Sequence, residues 1–162
     1  MSPRHSSKQH SKSELILWGI AFPGFGQILN GHYIKALLFI FLEFLINVNG
    51  NFNRIIMLSF NGETILAAEL ANFEWLMFYP CIYFFAIWDA YKESAGRHYV
   101  YDFFPFVSSA YFVTLGVIFS KSFTLFGMFP GPVLLPMLFL LPGLATGMLL
   151  KVLFNKKYTD PS

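Results

Sequence analysis

Long apolar stretches with few charged residues dominate this sequence and most constrain what it can fold into. Charged residues make up only 12% of the chain, against about 25% in a typical soluble domain, while hydrophobic residues make up 56%. The stretches lack the alternation of polar and apolar residues that is typical of membrane-barrel strands. Because helices satisfy their own backbone hydrogen bonds in lipid, the sequence predicts an all-α, polytopic membrane helical bundle.

The chain divides into two polar tails and one predicted transmembrane helical domain. The basic N-terminal tail covers residues 1–13, the helical domain 14–154 and the C-terminal tail 155–162. The domain contains four or five hydrophobic segments, predicted at residues 15–29, 33–48, 73–90, 103–120 and 132–154. Residues 54–72 mix polar and apolar side chains, which favours an interfacial helix or a folded loop over a membrane span.

The first segment, 15–29, is short for a membrane span. At 1.5 Å per residue it reaches roughly 22 Å, less than the roughly 30 Å of a hydrocarbon core, and Pro23 and Gly24 interrupt it. If it enters and returns, every basic residue except Arg54 and Lys121 falls on one side, whereas five full crossings divide the basic residues almost evenly. The positive-inside rule therefore favours a re-entrant first segment with both termini cytoplasmic; a thin, tilted first span is the alternative.

The most distinctive motif lies within residues 23–35. Its candidate residues are Pro23, Gly24, Gly26, Gln27, Asn30, Gly31 and Lys35. The glycines allow close helix approach, Gly31 allows a left-handed turn, and Gln27 and Asn30 are expected to bond backbone groups freed by Pro23. The motif predicts a tight hairpin closed by side-chain hydrogen bonds. The alternative is a contact site for lipid or a partner.

The Pro-Gly-x-Gly-Gln-x-x-Asn-Gly pattern with its following lysine, together with Trp88-Asp89, resembles small multi-pass bacterial membrane proteins related to the TM2 domain group. The resemblance covers residues 15–48 and 84–92. It departs at Leu29, where tyrosine is common, and at Ala36, where glycine is common. It implies a helical hairpin in the bacterial cytoplasmic membrane, and it carries no implied activity.

Two acidic residues are further candidates. Glu43 lies deep in the second segment, where a carboxylate indicates either an ion- or proton-linked site or a group bonded inside the bundle. Asp89 can pair with Lys92 at i,i+3, and the re-entrant topology predicts that it also pairs with Lys35 or the hairpin turn. Beside it, Trp88 is typical of an interfacial anchor.

The remaining chemical groups give weaker signals. Cys81 has no cysteine partner and is interpreted as a small core residue, and Pro80 is expected to kink its segment. His32 and His98 are poor evidence for a metal site without nearby cysteines. No phosphate loop, zinc-protease motif or nucleophile elbow is present, so no catalytic residue, cofactor or metal is predicted.

The sequence therefore favours a structural or interaction protein of the membrane: an accessory subunit, an assembly factor or a lipid-contacting scaffold. Its predicted partners are membrane lipid and other membrane proteins or further copies of the chain, and its net charge of +2 gives no reason to expect nucleic acid. The alternative is a small oligomeric channel or transporter component that uses Glu43. A membrane-embedded enzyme is disfavoured, because no nucleophile, base and acid are grouped at a matched depth.

Overall fold

The computed structural model describes residues 10–159, and this part of the chain is helical, with no strand. Residues 1–9 of the predicted N-terminal tail, including Arg4 and Lys8, and residues 160–162 of the predicted C-terminal tail lie outside the described residues, whereas residues 155–159 continue the last helix. The helices are α1 (Lys12–Ala21), α2 (Phe25–Leu29), α3 (Tyr33–Gly50), α4 (Phe52–Phe60), α5 (Thr64–Leu70), α6 (Phe73–Leu76), α7 (Tyr79–Tyr91), α8 (Phe104–Phe119) and α9 (Gly131–Thr159). The all-α prediction is thus confirmed.

Two of these helices are long and apolar enough to cross a membrane. They are Tyr33–Gly50 and Gly131–Lys156, the latter forming most of α9. A third span arises if Thr64–Leu70 and Phe73–Tyr91, which are bent by 93° at their junction, count as one. Helix α8 is apolar but has only 16 residues.

Helices α1 and α2 form a hairpin around Pro23 and Gly24. The Ser11 hydroxyl caps α1 by accepting from the Glu14 backbone N–H at 3.2 Å. Gly24 has φ 103° and turns the chain back, because this left-handed conformation costs glycine little. Gly31, with φ 79°, then closes α2 as predicted.

The hairpin runs along α7 and returns to the end where it began. Near that end, the Ala95 backbone N–H donates to the His10 carbonyl at 3.1 Å. At the far end of α1, the Tyr83 hydroxyl donates to the Ile20 carbonyl at 2.7 Å. Ala95 and Tyr83 are twelve residues apart, and they contact residues before the start of α1 and near its end. Helix α1 therefore runs antiparallel to α7. Helix α2 then runs in the opposite direction to α1, beside the last turns of α7.

Helices α8 and α9 pack against each other through glycines. A Cβ on Gly116 would lie 2.7 Å from the Pro136 Cα, and one on Gly147 would lie 2.5 Å from the Pro105 Cα. A Cβ on Gly143, four residues before Gly147, would lie 3.0 Å from the Ser109 Cα. Gly143 and Gly147 thus form a small-xxx-small packing face, and α9 continues through both internal prolines, Pro136 and Pro142.

The region predicted as an interfacial helix or loop, 54–72, consists of helices α4 and α5. Their apolar faces meet the beginning of α9 and the ends of α6 and α8. The shared core residues are Ile55, Leu58, Ala67, Leu76, Val117 and Val133. These two helices therefore cover one end of the bundle with apolar contacts.

Two expectations for the third segment are wrong. Pro80 lies in the first turn of α7, where its missing N–H costs no helical hydrogen bond, so it begins a helix instead of kinking one. The break in the segment falls just before it, between α6 and α7. Cys81 is exposed on α7 and is not a core residue, because the next turns of that helix bury Ala86 and Ile87 instead.

We expect the substitution Gly147→Ala to lower the free energy of unfolding by about 1–2 kcal/mol, because the added methyl meets the Pro105 backbone, which cannot yield cheaply. Thermal unfolding in detergent measures the effect. Met148→Ala, at a neighbouring position that is 57% exposed, is the matched control and should leave the melting temperature nearly unchanged. Equal melting temperatures for both variants would contradict the close packing.

Candidate functional site

A buried amide joins the hairpin to α7. The Gln27 side chain is only 1% exposed, so its polar atoms need partners within the protein. Its Nε2 donates to the Ala86 carbonyl at 2.8 Å and to the Asp89 Oδ2 at 3.2 Å. Gln27 therefore satisfies one backbone group of α7 and one carboxylate oxygen at the same time.

Asn30 makes a second amide contact in the same direction. Its Nδ2 donates to the Ala90 carbonyl at 3.0 Å. The expectation that Gln27 and Asn30 bond backbone groups freed by Pro23 is therefore wrong, since the observed partners belong to α7. The helix on which the hairpin packs, α7, therefore holds the hairpin closed.

Gly26 explains how α2 comes near enough for these bonds. A Cβ at Gly26 would lie 2.5 Å from the Ala90 Cβ, so any larger residue would separate the two helices. On α1, a Cβ at Gly19 would lie 3.1 Å from the Ile87 side chain. The predicted close approach is thus made by the hairpin and α7, and small residues on both elements permit it.

Asp89 is the ionic centre of this contact. Its side chain is 5% exposed, and the Lys35 Nζ lies 3.2 Å from its Oδ1. The Lys92 Nζ lies 2.8 Å from the same oxygen, one turn further along the chain. Both predicted pairs, with Lys35 and with Lys92, are confirmed. A carboxylate at this depth is tolerated because two ammonium groups and the Gln27 amide surround it.

Glu93 and His32 extend the group toward solvent. The Lys35 Nζ lies 3.1 Å from the Glu93 Oε1, and the His32 Nε2 contacts the other carboxylate oxygen of Glu93. Lys35 therefore bridges two carboxylates. The set Gln27, His32, Lys35, Asp89, Lys92 and Glu93 is named here the Asp89 clamp.

A second buried carboxylate, Asp102, lies in the segment between α7 and α8. The Lys151 Nζ from α9 lies 2.7 Å from its Oδ1. Its Oδ2 accepts from the Tyr91 hydroxyl at 3.1 Å and from the Tyr99 backbone N–H at 3.0 Å. Burial alone would raise the pKa of Asp102, but the bonds from Lys151, Tyr99 and Tyr91 outweigh burial and hold this pKa below its usual value.

Asp102 was not predicted as a site residue. Its signal was indirect: Lys151 is a lone cation in the last hydrophobic segment, and such a charge requires an anion at similar depth. Tyr91, at the end of α7, contacts this carboxylate from one side. Its ring also faces the Lys12 Nζ, which lies 5.2 Å from the ring centroid, and Lys12 donates to the Arg97 carbonyl. The start of α1 is therefore tied to the same region.

These contacts gather the basic groups at one end of the bundle, named here the basic end. Its basic residues include Lys12, Lys35, Lys92, Arg97 and Lys151. The opposite end carries α4, α5 and the segment before α9, with Arg54, Lys121 and three glutamates, Glu63, Glu69 and Glu74. The hairpin begins and ends at the basic end.

Glu43 lies apart from both carboxylate groups, on α3. It is 7% exposed, and its carboxyl group lies close to the Tyr79 side chain at the start of α7. Tyr79 and Tyr83 line an apolar cavity of about 330 Å³, but Glu43 is not among the residues that line this cavity. The arrangement fits a carboxyl group bonded inside the bundle.

Of the remaining candidates, Trp88 packs between helices. Its ring lies 5.6 Å from that of Tyr91 and 5.5 Å from that of Phe106 on α8. Pro23 is buried in the hairpin turn, and Gly31 is exposed beside the Asp89 clamp.

The two histidines do not form a metal site with their neighbours. His98 contacts the Ser94 carbonyl at 3.0 Å, while His32 contacts Glu93. Within residues 10–159, no group of three or more histidine, cysteine or acidic side chains has the geometry to hold a metal ion. The site's chemistry is therefore that of hydrogen bonds and ion pairs between helices.

Fold and site together define a class: an all-helical chain with candidate membrane spans and a hairpin that an ion-paired, amide-bonded cluster holds against α7. No family model matches the chain, and neither a curated protein nor a solved structure shows detectable similarity to it.

We expect Asp89→Asn to lower the free energy of unfolding by about 1–3 kcal/mol, because Lys35 and Lys92 lose the anion that they share. Thermal unfolding in detergent measures the loss. Glu14→Gln is the matched control, since Glu14 is 42% exposed and pairs only at the surface with His10. A loss no larger than that of the control would contradict a supporting role for the clamp.

The lowered pKa of Asp102 predicts an acid-sensitive contact. A carboxyl whose pKa is lower in the folded state stabilises that state above its unfolded pKa, near 3.8, and this contribution disappears as pH falls through the folded value. We therefore expect the melting temperature to fall on acidification below about pH 4. Asp102→Asn should melt lower at neutral pH and lose part of this acid dependence. Parallel pH profiles for both proteins would contradict the assignment.

Proposed function

We propose that this chain is an integral membrane protein of structural or interaction type, serving as an accessory subunit, an assembly factor or a lipid-contacting scaffold. Helices α3, α6–α7, α8 and α9 would cross the bilayer, and the α1–α2 hairpin would enter and return. The many exposed apolar side chains on the long helices support this placement, among them Leu37, Phe44, Leu141 and Val152, which are 63–69% exposed. Such a surface suits lipid and not water.

The basic end would face the cytoplasm. The positive-inside rule assigns the basic side of a short-looped membrane protein to the cytoplasm, and Lys12, Lys92 and Arg97 flank the membrane segments at this end. Both termini would then be cytoplasmic. The resemblance to small bacterial proteins of the TM2 domain group, carried by residues 23–35 and Trp88-Asp89, supports a bacterial cytoplasmic membrane as the location.

One observation carries the functional proposal: the polar side chains of the hairpin motif bond to α7 and to Glu93, which follows it. Gln27, Lys35 and Asp89 have partners within the protein, so their polar groups serve to stabilise the fold. This is expected of a scaffold that presents a fixed basic surface. We accordingly propose no catalytic role for the motif.

A second candidate function is a small oligomeric channel or transporter component. Its support is Glu43, a carboxyl group buried on a helix that is long and apolar enough to cross a membrane. A pH-dependent ion flux in proteoliposomes that is lost in Glu43→Gln would favour it. A Glu43→Gln variant that melts lower in detergent and shows no change in flux would favour the scaffold.

Cysteine labelling tests the topology. In a Cys81→Ser background, single cysteines replace the exposed residues Ser13 and Arg97 at the basic end and Asn61 and Ser122 at the opposite end. We expect a membrane-impermeant maleimide to reach Asn61 and Ser122 in intact cells, and Ser13 and Arg97 only after lysis. Labelling of Ser13 and Arg97 from opposite sides would contradict the re-entrant hairpin.

Site-specific crosslinking tests the interaction role. A photo-crosslinking residue at Val100, which is 63% exposed at the basic end, is compared with one at Phe126, which is 93% exposed at the opposite end. We expect a discrete protein adduct in native membranes at Val100, reproduced when the crosslinker is placed on the identified partner. Adducts with lipid alone at both positions would contradict an interaction with protein.

A further inference from the structure

A large cavity lies at the end of the bundle opposite the Asp89 clamp. It has a volume of about 1190 Å³ and lies between α4, α5, the segment before α9 and the first half of α9. Its lining is polar where α4 joins α5 and apolar along α9. A cavity with this division suits an amphiphile, which has a polar headgroup and a hydrocarbon tail.

The apolar wall follows one face of α9. Leu134, Met137, Leu138 and Leu141 line it, and their spacing places them on a single helical stripe. Seven residues of helix extend about 10 Å. The stripe leads from the end of the bundle toward its middle, which is the course of an acyl chain below its headgroup.

The polar part of the lining contains acceptors and no cation. Ser59 is 2% exposed, lines the cavity, and its hydroxyl has no hydrogen-bond partner among the described residues. Glu63 and Glu69 line the cavity nearby. The Thr64 hydroxyl donates to the Phe129 carbonyl at 2.7 Å, which leaves its oxygen free to accept. Lysine, arginine and histidine are absent from the lining of this cavity.

We propose that this cavity binds a membrane lipid whose headgroup ends in a protonated primary amine, as in phosphatidylethanolamine. An ammonium group offers three hydrogen-bond donors and one positive charge, which match the Ser59 hydroxyl and the carboxylates of Glu63 and Glu69. Two carboxylates repel a headgroup with net negative charge. One acyl chain lies along the α9 stripe. The proposal rests on the membrane placement proposed above.

Lipid titration of the purified full-length protein tests the proposal. Phosphatidylethanolamine and phosphatidylglycerol with identical acyl chains are added in detergent, and bound lipid is counted by native mass spectrometry. We expect tighter binding of the amine lipid. Glu63→Gln and Glu69→Gln should each weaken its binding about threefold, as expected for an exposed charge pair, and leave phosphatidylglycerol unaffected or bound more tightly. Glu74→Gln, at an exposed residue of the same end, should change neither affinity.

A second pair of variants tests the acyl-chain stripe. Leu138→Trp fills the cavity from a position that is 45% exposed, so the fold should tolerate it, and we expect the affinity for the amine lipid to fall severalfold. Leu149→Trp, at a 60% exposed position of α9 outside this cavity, is the matched control and should bind normally. Melting temperatures without added lipid verify that each variant is folded.

Equal affinity for the two lipids, or binding that neither the Gln variants nor Leu138→Trp weaken, would overturn the lipid site while leaving the membrane placement intact. Failure of the membrane placement gives a different result, because the protein would then remain monodisperse in buffer without detergent.

Discussion

The buried carboxylate of Asp89 is the group on which the arrangement of the first three helices and α7 depends. A carboxylate with a 5% exposed side chain is unfavourable unless cations and hydrogen-bond donors surround it. Lys35 from the start of α3, Lys92 from the end of α7 and Gln27 from α2 supply them. Because these three groups come from three elements, satisfying one carboxylate fixes the position of all three. The hairpin then has one favourable register on α7, the one that places Gln27 beside Asp89.

Close packing makes this electrostatic arrangement reachable. In lipid, apolar side chains gain little by leaving their surroundings, so helices associate through close contact and a few polar bonds. Gly26 against Ala90 provides that contact in the hairpin, and Gly147 against Pro105 provides it between α8 and α9. The two regions differ in one respect. In the hairpin, the ion pair lies directly beside the small-residue contact, because Asp89 precedes Ala90. Between α8 and α9, the ion pair lies further from it, because Lys151, which pairs with Asp102, is four residues beyond Gly147.

The sequence predicted correctly which ends of the helices lie together. It was less successful in predicting which atoms bond there. The charge pattern and the short first segment led to the re-entrant topology, and that topology implied the observed pair of Asp89 and Lys35. The partners of Gln27 and Asn30 were predicted wrongly, because they depend on the register of α2 against α7, which spacing within the motif does not encode. Asp102 escaped notice for a related reason: its partner Lys151 is distant in sequence, and only the packing of α8 on α9 brings the two together. Pro80 was expected to kink a helix, yet its position relative to the start of α7 decided its effect.

The two ends of the bundle are held together by different forces. At the basic end, Tyr91 bonds to Asp102 and faces Lys12, so the start of α1, the end of α7 and the second half of α9 share one connected polar network. At the other end, α4 and α5 are held mainly by apolar contacts around Ile55 and Val133. Acid and salt act on ion pairs and leave dispersion contacts nearly unaffected, so they should loosen the basic end first. Hydrogen bonds such as that from Thr64 to the Phe129 carbonyl join elements there, but within the described residues no ion pair involves α4 or α5, and apolar contacts adjust to an occupant more easily than paired charges do. The large cavity lies at this adjustable end, and the rigid basic end supports the hairpin. Ion pairs thus maintain the architecture at the basic end, whereas the opposite end, which is held by apolar contacts, is the part suited to bind a ligand.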